Sequence, residues 1–176
     1  MRYFHNKIKA NLIQYASIEE PGTMLDIAVG KGGDIRKWYY NKAINFVLGI
    51  DISTDNIENK IDGACKRYIE EQKLRPSDKR ALFLTGDLSK NIKNGEAFTN
   101  TQTKSISDSI LGKGTKNIET IGKIAYDNYG IASKGFNIVS CQFALHYFFK
   151  DKATLKNFMI NLVECTALNG IFIGTC

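Results

Sequence analysis

Five short apolar runs alternate with segments of helical periodicity, and this alternation constrains the fold more than any other feature of the chain. Each run is typical of a buried strand. In chain order they lie within "PGTMLDIAVG", "INFVLGIDIS", "ALFLTGD", "FNIVSCQFALHYFF" and "IFIGTC". Strands that alternate with helices form a parallel sheet with helices on both faces. The sequence therefore predicts an α/β fold with five parallel strands.

Helical periodicity fills most of the connections between the predicted strands. We expect a first helix over "MRYFHNKIKANLIQYAS", with Phe4 on its apolar face, and then a turn at Pro21. "GDIRKWYYNK" predicts a second helix. "STDNIENKIDGACKRYIEEQK" predicts one amphipathic helix, whose apolar stripe includes Ile61. "KDKATLKNFMINLVECTALNG" predicts a helix closed by Gly170.

Residues 88–135 form a polar insertion between the third and fourth predicted strands. The segment is rich in Ser, Thr, Asn, Lys and Gly. A connection of this length contains a helix or is a mobile insertion, and "ETIGKIAYDNYG" is the stretch that can supply the helix. We take residues 1–176 as one partial domain that carries this insertion.

Charge and cysteine usage limit the classes of protein that the chain can represent. The net charge is +6, which suits either a solvated surface or a surface that binds a polyanion. Four cysteines lie far apart without a CxxC pair, so a zinc site is disfavoured and a reduced intracellular compartment is favoured. No stretch resembles a signal peptide or a membrane-spanning helix, and we expect no membrane partner.

The glycine-rich stretch "AVGKGGD" follows the first predicted strand and favours a ligand that approaches the backbone closely. Asp51 ends the second strand about twenty residues later, where a carboxylate suits ribose hydroxyls. This pair indicates an adenosine-type cofactor. A nucleotide-dependent dehydrogenase and an S-adenosylmethionine-dependent methyltransferase both fit it.

Two details favour the methyltransferase. The glycines follow the order Gly30, Gly32, Gly33, so the third glycine of the dinucleotide fingerprint is missing. Asp26 lies within the first strand, four residues before Gly30, as the methyltransferase pattern requires. Asp87 adds a polar group after the third strand, where an adenine amino group can be recognised.

Several segments together resemble the messenger-RNA cap guanine-N7 methyltransferases. They are "LDIAVGKGGDIRKW", "GIDIS", "SCQFALHYFF", the opening "YFHNKIKANLI" and the closing "NGIFIGT". The resemblance covers most of the chain except residues 88–135. It implies a class I methyltransferase fold that is Rossmann-like, with S-adenosylmethionine as cofactor. A composition rich in Lys, Asn and Ile is similar to versions of this family in large DNA viruses.

The resemblance also implies which residues contact the cofactor. Lys9 matches a lysine that contacts the carboxylate end of the cofactor, Asp51 the ribose carboxylate, and Asp87 the residue near adenine. Ala28 and Val29 stand where the family usually has glycine and cysteine. The complete set of implied cofactor residues is Lys9, Ala28, Gly30, Asp34, Asp51, Asp87, Gln142 and Tyr147.

Phe143, His146 and Tyr147 match the segment of the family that faces the guanine of the cap, and they are the implied catalytic residues. Guanine N7 carries a free lone pair, so the implied methyl transfer needs proximity and orientation rather than a general base. Lys31, Arg36 and Lys37 either contact the triphosphate bridge or RNA backbone, or form a solvated helix face. No residue pattern indicates a metal site.

The implied substrate is the capped 5′ end of messenger RNA. The methyltransferase fold of this family has seven strands, and five are predicted here, so we expect a fragment or half of a longer capping protein. Triphosphatase and guanylyltransferase domains of the same enzyme are then expected partners. The implied location is the host cytoplasm or virion for a viral protein, and the nucleus for a cellular one.

Two alternatives remain open. The chain can be another class I methyltransferase that acts on a small molecule or a different nucleic acid, although "CQFALHYFF" disfavours this. It can also be a non-catalytic fragment that binds RNA, cofactor or a partner subunit, as Ala28, Val29 and the missing strands favour.

Overall fold

Strands and helices alternate along the chain in the computed structural model, which describes residues 2–16 and 22–176. The turn predicted at Pro21 lies outside the described residues. The elements are α1 (Arg2–Tyr15), β1 (Gly22–Ile27), α2 (Ile35–Tyr39), β2 (Ile44–Asp51), α3 (Thr54–Glu58), α4 (Ala64–Leu74), β3 (Arg80–Thr85), α5 (Thr101–Ile110), α6 (Ile118–Asp127), β4 (Phe136–Gln142), a 3₁₀ helix (Leu145–Phe149), α7 (Lys152–Cys165) and β5 (Thr166–Thr175).

The five strands form one sheet in the order β3-β2-β1-β4-β5, and every neighbouring pair is parallel. This confirms the predicted fold class. The chain leaves β1 toward β2 and β3 on one side, and it then returns to β4 and β5 on the other. The strand order therefore reverses beside β1, and open sheets of this kind bind ligands beyond the carboxyl ends of the strands at such a point.

Apolar side chains cover both faces of the sheet. Within β1, Met24 and Leu25 are both fully buried but belong to different apolar clusters, as the two-residue period of a strand requires. α1, α2 and α4 pack against the cluster around Met24 through Ile13, Trp38 and Tyr68. The cluster around Leu25 receives the second helical layer, and its buried helical residues are Ile110, Ile121, Ala125, Phe158 and Cys165.

The prediction of one long helix after the second strand is wrong, because two shorter helices, α3 and α4, occupy this segment. α3 begins at the cap Ser53, whose hydroxyl accepts the Asn56 N–H, and it ends at Asn59. The Asn59 side chain then accepts the Ile61 N–H, which competes with a helical hydrogen bond. Ile61 is consequently 84% exposed and does not belong to an apolar stripe. α4 begins only after Gly63.

Two further boundaries correct the prediction. α7 ends at Cys165 rather than at Gly170, because Thr166 is extended and its hydroxyl donates to the Leu162 carbonyl at 2.6 Å. β5 therefore starts five residues earlier than expected. Phe4 does not join the apolar face of α1, since its side chain is 62% exposed and α1 is anchored through Ile13 and Ala16 further along.

Residues 88–135 are folded onto the sheet. They contain α5 and α6, and α6 overlaps the stretch "ETIGKIAYDNYG" that was predicted as helical, with a kink at Gly122, whose φ is 77°. Asn100 and Asn117 cap these helices by accepting backbone N–H groups of their first turns. The segment also contributes buried apolar side chains to the core, namely Leu88, Ile92, Ala97, Phe98, Ile110, Leu111, Ile121, Ala125 and Ala132. A polar composition thus conceals an amphipathic pattern.

No helix among residues 2–16 and 22–176 is long and apolar enough to cross a membrane.

Candidate functional site

The candidate site lies along the edge of the sheet formed by the carboxyl ends of the strands. Asp87, Asp51 and Gln142 follow or end β3, β2 and β4, and residues 28–34, called the glycine loop, follow β1. Because the strand order is β3-β2-β1-β4-β5, these groups succeed one another along a single edge. The topology therefore brings together the strand-end residues that the sequence singled out.

The glycine loop turns sharply through residues in the left-handed backbone region. Ala28, Gly30 and Gly32 have φ angles of 55°, 55° and 72°. A methyl group built on Gly30 or Gly33 would meet no heavy atom within 4 Å. The loop thus leaves open space beside its backbone, as close approach of a ligand requires.

Ala28 occupies this left-handed region at an energetic cost. For a residue with a Cβ atom, this backbone conformation is about 1–2 kcal/mol less favourable than it is for glycine. This cost gives a physical reason for the glycine that the resemblance implies at this position. The chain therefore begins its loop with strain that the surrounding contacts must offset.

Gly32 is the glycine that packing requires. A Cβ atom there would lie 2.4 Å from Ile35 Cδ1 and 3.3 Å from the Ala64 backbone, at a φ of 72°. We expect Gly32→Ala to lower the free energy of unfolding by about 1–3 kcal/mol. Urea unfolding measures this effect. Gly33→Ala is the matched control, since its Cβ meets nothing within 4 Å and its φ is not left-handed, and equal losses in the two variants would contradict the argument.

Asp51 ties β2 to the glycine loop. Its Oδ2 accepts the Gly30 N–H at 2.8 Å, and its Oδ1 accepts the Ser53 N–H at 2.9 Å and the Asn56 Nδ2 amide at 3.0 Å. A carboxylate has about four lone-pair sites, so one remains on Oδ2 for a hydroxyl donor. Oδ1 already accepts two hydrogen bonds, so a ligand hydroxyl that donates to Oδ1 has to displace the Asn56 amide.

Asp34 joins the glycine loop to α1. Its Oδ1 lies 2.6 Å from Lys9 Nζ and 2.8 Å from Lys37 Nζ, and all three side chains are largely buried. Two ammonium groups on one carboxylate leave a net positive charge next to the open loop. Lys9 Nζ also lies 5.5 Å from the centre of the Phe143 ring, so α1 bridges the loop and the segment after β4.

Asp26 is buried below this cluster in β1. Burial, together with the negative charge of Asp34, raises the pKa of Asp26 well above its ordinary value, so the neutral acid is favoured. Cys141 of β4 pairs with the next residue, Ile27, and burial raises the pKa of its thiol to about 12. A thiol with this pKa is not a nucleophile at neutral pH.

Phe143 begins the segment that follows β4, with a left-handed φ of 57°. Its N–H donates to the Thr175 carbonyl at 3.0 Å and lies 2.9 Å from the Thr175 hydroxyl. That hydroxyl also donates to Gln142 Oε1 at 3.1 Å. The Phe143 ring lies 4.6 Å from the His5 ring of α1. β5 and α1 thus hold this residue from two sides.

The aromatic segment, residues 143–149, presents some rings to solvent and buries another. Tyr147 and Phe149 are 67% and 62% exposed, and the His146 ring lies 4.1 Å from the Tyr147 ring. Phe148 is buried and stacks on Phe158 of α7 at 4.3 Å. The buried ring anchors the segment, and the exposed Tyr147 ring, next to His146, provides a surface on which a planar base can stack.

A cavity of about 430 Å³ opens beside the glycine loop, between α2 and α4. Arg36, Lys37 and Arg67 line it, together with the acidic Glu70 and Glu71. Arg36 donates from Nε to Glu71 at 2.9 Å, while its side chain is 72% exposed. The buried carboxylate therefore fixes the guanidinium and leaves its terminal amino groups facing outward. Arg67 also lies on this wall of the cavity, and the sequence did not single it out.

The three cations considered from the sequence all have acidic partners. Lys31 lies 2.8 Å from Asp62 and 3.3 Å from Asp55, and Arg36 and Lys37 are paired as described above. The Tyr40 hydroxyl and the Arg36 guanidinium lower the pKa of Glu71, which keeps this partner charged. These cations are thus held in place rather than freely solvated.

Among the described residues, no group of three or more His, Cys, Asp and Glu side chains could hold a metal ion. The structure adds His5, Asn56 and Thr175 to the residues expected from the sequence. Asn56 lies in the first turn of α3, within the stretch predicted as helical, and its side chain reaches Asp51 Oδ1 from there. His5 and Thr175 reach the site only through the tertiary fold, and the sequence carries no local signal for them.

Solved structures with the same fold include methyltransferases. The chain matches the YcgJ protein of Bacillus subtilis with a TM-score of 0.56 and 14% identity, covering 96% of this chain and 50% of that one. It matches the glycopeptide N-methyltransferase MtfA, solved with S-adenosyl-L-methionine, with a TM-score of 0.51 and 14% identity, covering 94% of this chain and 53% of that one. The order of the parallel strands and the glycine loop together define a class I methyltransferase fold.

Comparison with known sequences gives the family. A family profile described as the mRNA (guanine-N(7))-methyltransferase domain matches residues 1–176, and the chain belongs to this family. The mRNA cap guanine-N(7) methyltransferases of Caenorhabditis briggsae and Saccharomyces cerevisiae are 32% and 30% identical over 99% of the chain. A probable mRNA-capping enzyme of Acanthamoeba polyphaga mimivirus is 28% identical over the same share. The chain spans 38%, 31% and 14% of these three relatives.

Proposed function

We propose that the chain is the cofactor-binding part of an mRNA cap methyltransferase, which transfers a methyl group from S-adenosylmethionine to guanine N7. One observation carries the proposal. The open glycine loop, with Asp51 beside it, and the exposed aromatic segment lie at adjacent strand ends of one sheet edge. A methyl donor and a planar acceptor base can therefore lie next to each other.

The residues of the loop fit an adenosyl cofactor. The free lone pair on Asp51 Oδ2 suits a ribose hydroxyl, and the open backbone at Gly30 and Gly33 admits the chain that joins ribose to the amino acid. Lys9 and Lys37 supply the positive charge that a cofactor carboxylate needs. The bound cofactor supplies an electrophilic methyl group.

The chain's own residues orient the acceptor. Guanine N7 has a free lone pair, so no group has to remove a proton before transfer. Tyr147 offers an exposed ring for stacking, and the adjacent His146 offers a hydrogen bond to the edge of the base. Orientation of two reactants in this way supplies several kcal/mol of the barrier reduction, on the order of 7–11 in well-aligned systems.

The cavity between α2 and α4 suits the phosphates of the cap. Arg36 and Arg67 line it, and Lys37 connects it to the glycine loop. The outward guanidinium of Arg36 is held in advance by Glu71, which reduces the entropy lost on binding a phosphate. We propose that the 5′–5′ phosphate bridge occupies this cavity.

Methyl transfer to short RNA tests the proposal. We expect the full-length protein that contains this chain to methylate a GpppA-capped oligoribonucleotide and to leave the matching 5′-triphosphate RNA unmodified. Arg67→Gln is expected to raise KM for the capped RNA about five- to twentyfold, because a charged hydrogen bond to phosphate is lost. Lys73→Gln on the same helix is the matched control, since Lys73 is exposed and does not line the cavity. Equal labelling of capped and uncapped RNA would contradict the proposal.

The relatives are longer than this chain, and their additional length allows a proposal about the whole protein. The chain covers only 14% of the mimivirus protein, whose name is that of a capping enzyme. We propose that the methyltransferase acts next to triphosphatase and guanylyltransferase domains, which make the GpppN end that it consumes. Affinity purification of the full-length protein, followed by assays for both activities, tests this partnership.

A further inference from the structure

The backbone that follows Asp87 is held by a buried asparagine of α7. Asn161 is 1% exposed. Its Oδ1 accepts the Ile92 N–H at 2.9 Å, and its Nδ2 donates to the Leu88 carbonyl at 3.2 Å and to the Lys90 carbonyl at 2.8 Å. One side chain therefore satisfies three backbone groups of residues 88–92, which we call the Asp87 loop.

A second asparagine extends this contact. Asn157 lies one helical turn before Asn161, and its Nδ2 donates to the Ser89 carbonyl at 2.7 Å. The two amides thus bind Leu88, Ser89, Lys90 and Ile92 along their backbone. α7 fixes the conformation of the loop through polar groups, which define distance and direction more strictly than apolar packing does.

The loop in turn fixes the Asp87 carboxylate. Its Oδ1 accepts the Ser89 N–H at 3.0 Å and the Ser89 hydroxyl at 2.6 Å. Its Oδ2 faces the Lys90 ammonium at the longer distance of 3.8 Å, and the side chain is 31% exposed. One oxygen is therefore held by Ser89, whose carbonyl is held by Asn157, and the other oxygen has the longer contact with Lys90 in a side chain that is partly exposed.

We propose that Asn161, assisted by Asn157, is a positioning residue that aims the Asp87 carboxylate at the 6-amino group of the cofactor adenine. This inference rests on the proposed S-adenosylmethionine site. Asn161 does not touch the cofactor, and it acts only through the loop. Asn161 therefore contributes to the selection of the base. A correctly oriented carboxylate accepts a hydrogen bond from an amino group and repels a carbonyl oxygen.

The same helix also holds the aromatic segment. Phe158, between the two asparagines, stacks on Phe148 at 4.3 Å. α7 thus fixes the adenine side of the site with polar contacts and the acceptor side with an aromatic contact. This arrangement explains why a fully buried polar residue stands in an otherwise apolar helix face, where burial without partners would be costly.

Calorimetric titration with two ligands tests the inference. S-Adenosylhomocysteine carries the 6-amino group, and S-inosylhomocysteine carries a carbonyl oxygen in its place. We expect the unmodified protein to prefer the first ligand by about ten- to hundredfold, the value of one hydrogen bond to a charged acceptor. We expect Asn161→Ala and Asn157→Ala to reduce this preference to less than about threefold, because the carboxylate is no longer aimed.

Asn41→Ala is the matched control. Asn41 is a buried asparagine near the other face of the sheet, where it donates to the Ile13 carbonyl and accepts the Ala43 N–H. Its loss destabilises the fold without touching the Asp87 loop, so the preference between the two ligands is expected to stay at the unmodified value. A purely structural role for Asn161 would weaken both ligands equally, as in this control.

The outcomes separate the inference from the proposed function. An unchanged preference in folded Asn161→Ala overturns the positioning role, and Asn157→Ala decides the question where Asn161→Ala does not fold. Binding of S-adenosylhomocysteine without any preference in the unmodified protein overturns the adenine role of Asp87 and the inference with it. Failure of the unmodified protein to bind S-adenosylhomocysteine overturns the proposed function itself.

Discussion

Alanine in place of Asp51 is expected to weaken the binding of S-adenosylhomocysteine by about 2–4 kcal/mol, which removes measurable affinity at ordinary ligand concentrations. The carboxylate is 6% exposed and accepts three hydrogen bonds, one of them from the Gly30 N–H in the glycine loop. Its removal deletes the proposed acceptor for the ribose. It also leaves the Gly30 N–H without the partner that fixes the loop.

Calorimetry measures this loss, and circular dichroism with thermal unfolding shows whether the variant is folded. Asp51→Asn keeps one acceptor oxygen and is expected to retain part of the affinity. Asp55→Ala is the matched control, because Asp55 is an exposed carboxylate of α3 whose partners are Lys31 and Asn59. Unchanged affinity in a folded Asp51→Ala protein would rule out the ribose site.

The fold was predictable because its signals are local. Strand positions follow from apolar runs, and the parallel order follows from the helices between them. The break between α3 and α4 was not predicted, since Asn59 and Gly63 override an apolar period that continues through Ile61. Competition of a side chain for backbone hydrogen-bonding groups determines such a helix boundary. The periodicity of apolar residues does not reveal this competition.

The insertion illustrates a different limit. Residues 88–135 are polar on average, yet Ile110 and Ile121 are buried in the core. Composition averages over both faces of an amphipathic helix and so conceals the buried one. Only α6 was anticipated, because its apolar residues are more concentrated than those of α5.

The strand-end residues of the site were predictable, and the residues that hold them were not. The sequence places Asp51 and Asp87 at successive strand ends, which the sheet brings to one edge. Asn161 contacts backbone about seventy residues away, and Arg67 faces a cavity that exists only when α2 and α4 pack together. Contacts of this range depend on the complete fold and leave no periodic signal.

Alanine in place of Tyr147 is expected to lower kcat/KM for capped RNA about ten- to hundredfold, with little change in stability. The Tyr147 ring is 67% exposed, so its removal deletes few packing contacts. A stacked base is worth about 1–3 kcal/mol, and this is the interaction that the variant loses. The loss is expected mainly in KM for RNA at saturating S-adenosylmethionine, because stacking binds the acceptor before transfer.

Phe149→Ala is the matched control for this prediction. Phe149 is an aromatic residue of the same 3₁₀ helix with nearly the same exposure, 62%, but it stands two residues further along the chain from the end of β4. A base that stacks on Tyr147 next to His146 leaves Phe149 uninvolved, so Phe149→Ala is expected to keep full activity. Equal losses in the two variants would show that the segment acts as a general apolar surface. Unchanged kinetics in Tyr147→Ala would show that the acceptor base binds elsewhere. A selective loss places the acceptor base on the Tyr147 ring beside His146, in the segment that follows the strand next to β1.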